Sequence, residues 1–108
     1  MGQRTLDGTD LSELRRRYRR LVTTELPRAA RTGDDWPVRE DHCFARIVLD
    51  DVFGGIWYDH VSGRPAYEHL SASRLREAIG TAERLLDEGK PLVGELNRQS
   101  LAWRDGES

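Results

Sequence analysis

Residues 71–104 read SASRLREAIGTAERLLDEGKPLVGELNRQSLAWR, and this stretch decides the fold class. Apolar side chains recur in it every three or four positions, the spacing of one face of an α-helix: Leu75, Ala78, Ile79, Ala82, Leu85, Leu86, Leu92, Leu96 and Leu101. Ser71 or Ser73 can begin the first helix, Gly89 can end it, and Pro91 suits the first turn of the next. The pattern predicts two antiparallel helices joined near Gly89.

The segment 41–53 fits two structures. As a helix it presents one broad apolar face, made of Phe44, Ile47, Val48 and Val52. As a strand it alternates in the order Cys43, Ala45, Ile47 and Leu49. Asp41 can begin a helix and Gly54 can end it, so the sequence favours the helix.

The N-terminal region carries a third helical pattern. Asp10 and Glu13 have the spacing of a capping box, and an apolar stripe follows at Leu11, Leu14, Tyr18, Leu21 and Val22. Pro27 predicts that this helix ends or bends at Leu26. We therefore expect a mainly α domain of four or five helices over residues 10–104, between a flexible leader, 1–9, and a flexible tail, 105–108.

Composition limits the class of protein. The 108 residues suit one domain, and a hydrophobic content of 37% implies a thin core. The apolar runs are far shorter than the ~20 residues that a membrane helix needs. A single cysteine, Cys43, fits a reducing compartment. These features predict a cytoplasmic protein with no membrane association.

Four residues are candidates for catalysis: His42, Cys43, Asp50 and His60. Neighbours on a helix point about 100° apart, so His42 cannot activate Cys43, and His60 or His69 would have to do so across space. A lone cysteine near an apolar face is more often a small buried hydrophobe. The histidines and the cysteine lack the spacing of metal ligands, so the sequence predicts no metal site and no cofactor.

A polar line on the helix 41–53 is formed by His42, Arg46 and Asp50, each four residues from the next. It has two interpretations. One is an ion pair between Arg46 and Asp50 at the helix surface. The other is the polar wall of a cleft that faces Trp57, Tyr58 and His60.

Aromatic residues are candidates for ligand or partner binding, together with Arg46: Trp36, Trp57, Tyr58 and Trp103. Trp, Tyr and Arg dominate the energetics of protein interfaces. With the thin core, they lead us to expect a protein partner or self-association.

A basic run, Arg15-Arg16-Arg17-Tyr18-Arg19-Arg20, could contact phosphates. The helical pattern instead assigns Arg16, Arg19 and Arg20 to a solvated face opposite the apolar stripe. The formal net charge is −2, and the joint near Gly89 lacks a helix-turn-helix signature. We therefore do not expect a nucleic-acid partner.

Two motifs carry a resemblance: Trp36-Pro37 followed by DHCFARIVLD at 41–50 and by Trp57, and LNRQSLAWR at 96–104. Over residues 36–104 the chain resembles a group of small bacterial proteins, some of which are labelled GCN5-related N-acetyltransferases. Those acetyltransferases bind the acetyl-CoA pyrophosphate with a turn of the form Arg/Gln-x-x-Gly-x-Gly/Ala, which this sequence does not contain. The resemblance implies a bacterial, cytoplasmic protein and does not extend to acetyl transfer.

Three functions follow from these features. The leading hypothesis is an accessory or partner-binding protein, such as the non-catalytic small subunit of a bacterial biosynthetic enzyme complex. The alternative is a small enzyme or ligand-binding protein with its site around His42, Cys43, Arg46, Asp50, Trp57 and His60. A DNA-binding regulator is the third.

Overall fold

The computed structural model of the chain describes residues 11–33 and 35–105, and in these ranges it contains four helices and no strand. We label them α1 (residues 11–32), α2 (Asp41–Phe53), α3 (Ala72–Glu88) and α4 (Lys90–Asp105). Two short 3-10 turns, Trp57–Asp59 and Ala66–His69, lie in the connection between α2 and α3. The predicted mainly α domain of four or five helices is confirmed. The leader 1–9, the capping role of Asp10 and residues 106–108 of the tail lie outside the described residues.

The sequence predicts that α1 ends or bends at Leu26, and of these two alternatives the end is wrong, because the helix continues to Thr32. Its first segment, Leu11–Arg20, passes into a π-helical segment, Leu21–Glu25, and continues as Leu26–Thr32. The amide of Leu26 bonds to the carbonyl of Leu21, five residues back, so the hydrogen bonds are in π register when the chain reaches Pro27. A proline has no amide hydrogen to donate, and the wider turn just before it lets the helix continue.

The segment 41–53 is a helix, so its apolar residues follow the helical rather than the strand alternative. The amides of Cys43 and Phe44 both bond to the carbonyl of Glu40, which precedes α2. Gly54 ends the helix in the left-handed conformation with φ +66°, as the sequence predicts. The strand alternative is wrong, because Asp41–Phe53 form one continuous α-helix.

The core lies where α1, α2 and α3 meet. Its largest fully buried apolar side chains are Phe44, Leu21, Leu26, Ile47, Leu75, Leu85, Val48 and Val93. Helix α4 lies against both α2 and α3, and places Leu92, Val93 and Leu96 in the same core. Gly89, with φ +73°, is the single residue between α3 and α4. That these two helices run antiparallel stays a prediction.

The N-cap of α3 allows a first test of the fold. Ser71 Oγ accepts a hydrogen bond from the amide of Arg74 at 3.2 Å. Ser71→Ala removes this bond, and we expect it to lower the free energy of unfolding by about 1 kcal/mol in urea titrations followed by circular dichroism. Ser73→Ala, at an exposed site inside α3, is the matched control and should stay within about 0.5 kcal/mol of the parent. Equal stabilities of the two variants would contradict the assigned cap.

Candidate functional site

A cleft of about 330 Å³ lies between α1, α2 and the connection that follows α2. Its walls are largely apolar. Tyr18, Trp57 and Tyr67 supply aromatic surface, and Val22, Ala45 and Leu49 supply aliphatic surface. Because Val22 belongs to the π-helical segment, the irregular turn of α1 forms part of the wall. Such turns occur frequently at functional sites.

Tyr18 joins the cleft to the core. Its side chain is 3% exposed, and its ring lies 6.0 Å from that of Tyr67. Burial raises the pKa of Tyr18 well above its ordinary value, because an ionised phenolate would lose its hydration there. The phenol is therefore neutral at physiological pH, and this wall of the cleft carries no negative charge.

Two arginines stack on the aromatic walls. The guanidinium carbon of Arg19 lies 5.4 Å from the ring centre of Tyr67, and that of Arg64 lies 5.7 Å from the ring of Trp57. Both arginines are exposed, so these cation–π contacts contribute on the order of 0.5–1 kcal/mol each. They place two positive charges at the rim of an apolar cleft.

A third arginine, Arg46, reaches the cleft from α2 and is half-buried. Its Nη1 donates to Ser100 Oγ at 2.8 Å, and its Nη2 donates to Asn97 Oδ1 at 2.8 Å. Both acceptors lie on α4, one helical turn apart. The two bonds fix the plane of the guanidinium, while the group keeps further N–H donors for other acceptors.

Asp50 does not line the cleft and is completely buried. Its carboxylate accepts four hydrogen bonds: from the Trp57 amide at 3.0 Å, from Ser100 Oγ at 2.6 Å, and from Nε and Nη2 of Arg104 at 3.1 and 3.2 Å. The Arg104 fork neutralises the charge, and the other donors satisfy the remaining lone pairs. Asp50 therefore joins α2 to two other parts of the chain: to α4, and to the beginning of the connection that follows α2.

Family models, curated proteins and solved structures give no match to this chain. In the described part of the chain, no helix is long and apolar enough to cross a membrane. The function must be argued from the cleft itself.

The three residues of the polar line, His42, Arg46 and Asp50, do not share one environment in the structure. His42 and Arg46 line the cleft, whereas Asp50 points into the interior. The expected surface ion pair between Arg46 and Asp50 does not form: Asp50 pairs with Arg104, and Ser100 lies between the two. Residues four apart on a helix are displaced by about 40° around its axis, which is enough to separate a cleft wall from the core.

The candidate catalytic residues are not brought together. His60 stacks on Phe53, with ring centres 5.2 Å apart, and does not line the cleft. Cys43 is half-buried, and within residues 11–33 and 35–105 no hydrogen bond joins it to a histidine. The same residues hold no group of three His, Cys, Asp or Glu side chains that could bind a metal.

The predicted aromatic binding residues also separate. Trp57 lies in the cleft wall, but Trp36 packs edge-on against Phe44 at 6.1 Å, beside the core. Tyr58 is exposed and lies under the guanidinium of Arg104 at 5.3 Å. Trp103 is half-buried near the end of α4. One of the four aromatic candidates therefore belongs to the cleft.

Arg16, Arg19 and Arg20, which the helical pattern assigns to a solvated face, are all exposed. Arg17 pairs with Glu83 at 2.6 Å, Arg20 pairs with Glu25 at 3.1 Å, and Arg15 donates to the carbonyl of Glu68. Arg19 is exposed and also stacks on Tyr67 at the cleft. That the chain does not bind nucleic acid stays a prediction.

Sequence patterns do not select several residues of the site: Tyr18, Arg19, Arg64, Tyr67, Asn97, Ser100 and Arg104. Tyr18 shares the periodicity of the core stripe, and the residues of α4 are about fifty positions away from those they contact on α2. The three aromatic residues among positions 57–67, Trp57, Tyr58 and Tyr67, are the signal that could have located the opposite wall.

Proposed function

We propose that this protein binds a small, largely apolar molecule in the cleft between α1, α2 and the connection that follows α2. The single observation that carries the proposal is an open space of about 330 Å³ with aromatic walls and a fixed arginine at its edge. Ligand sites combine such apolar walls with a few well-placed polar groups, and their volumes are about 300–1,000 Å³.

The size of the cleft sets the size of the ligand. At about 330 Å³ the cleft lies at the small end of the ~300–1,000 Å³ range of ligand sites. A small ligand such as a substituted benzene suits a cleft of this size. Larger ligands would extend past the rim arginines into solvent.

The geometry supports the binding of a small molecule better than the binding of a protein partner or catalysis. Large apolar side chains that are exposed within the described residues are limited to Tyr58 and Leu101, so a protein partner would find little apolar surface outside the cleft. Because that surface is small, we do not propose the accessory-subunit hypothesis, which stays a prediction. Catalysis receives no support from the separated positions of Cys43, Asp50 and His60.

Filling the cleft tests the proposal. Ala45 lines it and is half-buried, so Ala45→Phe places a ring in the space where the ligand would lie. The probe is 4-phenylbutyramide, a neutral molecule of matching size, titrated against ¹⁵N-labelled protein by NMR. We expect binding with a dissociation constant on the order of 1 mM, seen as a shift of the Trp57 indole N–H. Ala45→Phe should weaken binding at least tenfold.

The matched control is Ala102→Phe, which adds the same ring at an exposed position of α4. Circular dichroism of both variants checks that they remain folded. Binding that is unchanged in Ala45→Phe, or weakened equally in both variants, would contradict the location of the site.

A further inference from the structure

We infer that the ligand is an apolar monoanion whose carboxylate binds Arg46 while its hydrocarbon body lies between Tyr18 and Trp57. The inference rests on the proposed function and names the class of molecule that the cleft takes. It depends on the charges around the cleft, whereas the proposed function depends on its shape and apolar walls.

Arg46 is a half-buried cation whose hydrogen-bond acceptors are both neutral. Ser100 Oγ and Asn97 Oδ1 each accept one bond from it, and no carboxylate of the described residues lies within 4.0 Å of its nitrogens. A partly desolvated charge without a counter-ion is costly, and an anion that enters the cleft removes this cost. The planar guanidinium matches a carboxylate better than a lysine ammonium does.

The one buried carboxylate nearby is already neutralised. Asp50 accepts hydrogen bonds from Nε and Nη2 of Arg104 at 3.1 and 3.2 Å, and it also accepts one from the hydroxyl of Ser100. Because that hydrogen points to Asp50, an oxygen lone pair of Ser100 is left to accept from Arg46. Two arginines thus surround one carboxylate, and the charge of Arg46 is the one left over.

Two of the three other charged groups of the cleft, Arg19 and Arg64, are positive as well. Arg19 and Arg64 stand at the rim on aromatic rings, and no ion pair joins either to an acid in the part of the chain that the structure describes. Asp41 is the carboxylate among the described lining residues, and its side chain is 57% exposed and lies beside His42. Water screens exposed charges strongly, so the half-buried Arg46 is the least screened charge among the described lining residues.

The acid and the amide of one hydrocarbon separate charge from shape. 4-Phenylbutyrate and 4-phenylbutyramide have the same size and the same phenyl group, and they differ in the negative charge. We expect the unmodified protein to bind the acid at least tenfold more tightly than the amide, with a dissociation constant on the order of 0.1 mM in NMR titrations at pH 7.

Arg46→Gln should remove this preference. It keeps hydrogen-bonding groups near Ser100 and Asn97 but deletes the charge, so binding of the acid should weaken about tenfold while binding of the amide changes little. Arg46→Lys retains the charge and loses the planar fork, and should fall between the two. Arg16→Gln, which deletes an exposed arginine of α1 away from the cleft, is the matched control and should leave both affinities unchanged.

The outcomes distinguish a failure of the monoanion inference from a failure of the proposed function. If the amide binds as tightly as the acid to the unmodified protein, the monoanion inference is wrong and the proposed function stands. If neither probe binds, the proposed function fails and the inference fails with it. The comparison of acid and amide needs no variant, so it remains decisive even if Arg46→Gln does not fold.

Discussion

Asp50→Ala should lower the free energy of unfolding by about 3–5 kcal/mol, measured by urea denaturation followed by circular dichroism. The substitution removes the acceptor of four hydrogen bonds at a completely buried position. It leaves the guanidinium of Arg104 without its counter-ion and the amide of Trp57 without its partner. The donors of Trp57, Ser100 and Arg104 lose a shared acceptor, and the partly buried Arg104, whose side chain is 26% exposed, loses its counter-ion.

A double-mutant cycle with Arg104→Ala separates the ion pair from the rest of the network. Once Arg104 is removed, Asp50→Ala should cost less than it does in the parent, because the two side chains share one interaction. Asp87→Ala, at an exposed position of α3, is the matched control and should change stability by less than about 0.5 kcal/mol. A loss for Asp50→Ala no larger than this control would mean that the network does not hold the helices together.

Phe44→Ala should destabilise the protein by about 3–5 kcal/mol in the same assay. Phe44 is fully buried, is the largest fully buried side chain of the core, and meets Trp36 edge-on. Truncation removes the transfer free energy of the ring and leaves a cavity between helices that cannot close completely. Because Phe44 does not line the cleft, ligand affinity of the folded variant should change much less than stability.

Phe53→Ala is the matched control for Phe44→Ala, since both phenylalanines belong to α2. Phe53 is half-buried, stacks on His60 and lies under the guanidinium of Arg74 at 4.9 Å. Its truncation exposes less new apolar surface, and we expect at most half the loss of the Phe44 variant. Equal losses would contradict the position of the core on the Phe44 side of α2.

The helices could be predicted from the sequence because their signals are local. Apolar spacing over 71–104 and the flanking residues of 41–53 identified three of the four helices and the glycine that follows each of α2 and α3. Of the end or bend predicted at Leu26, the end is wrong, and it is wrong for a local reason as well. The rule for Pro27 assumes α register, and the π-helical turn over Leu21–Glu25 changes that register before the proline is reached.

The site could be predicted only in part, because its contacts are distant in sequence. Spacing along α2 placed His42 and Arg46 on one polar line, and both do face the cleft. The partner of Asp50 could not be found in this way, since Arg104 lies 54 residues further along the chain. Local spacing instead predicted an ion pair between Asp50 and Arg46, four residues away.

The most direct measurement of the central claim is a set of intermolecular NOEs between 4-phenylbutyrate and the protein. If the cleft is the binding site, the phenyl protons of the probe should show NOEs to the rings of Tyr18 and Trp57 and to the methyl group of Ala45. The methylene next to the carboxylate should lie nearest the side chain of Arg46. NOEs that instead connect the probe to residues outside the cleft, such as Leu101 or Tyr58, would contradict the proposed site.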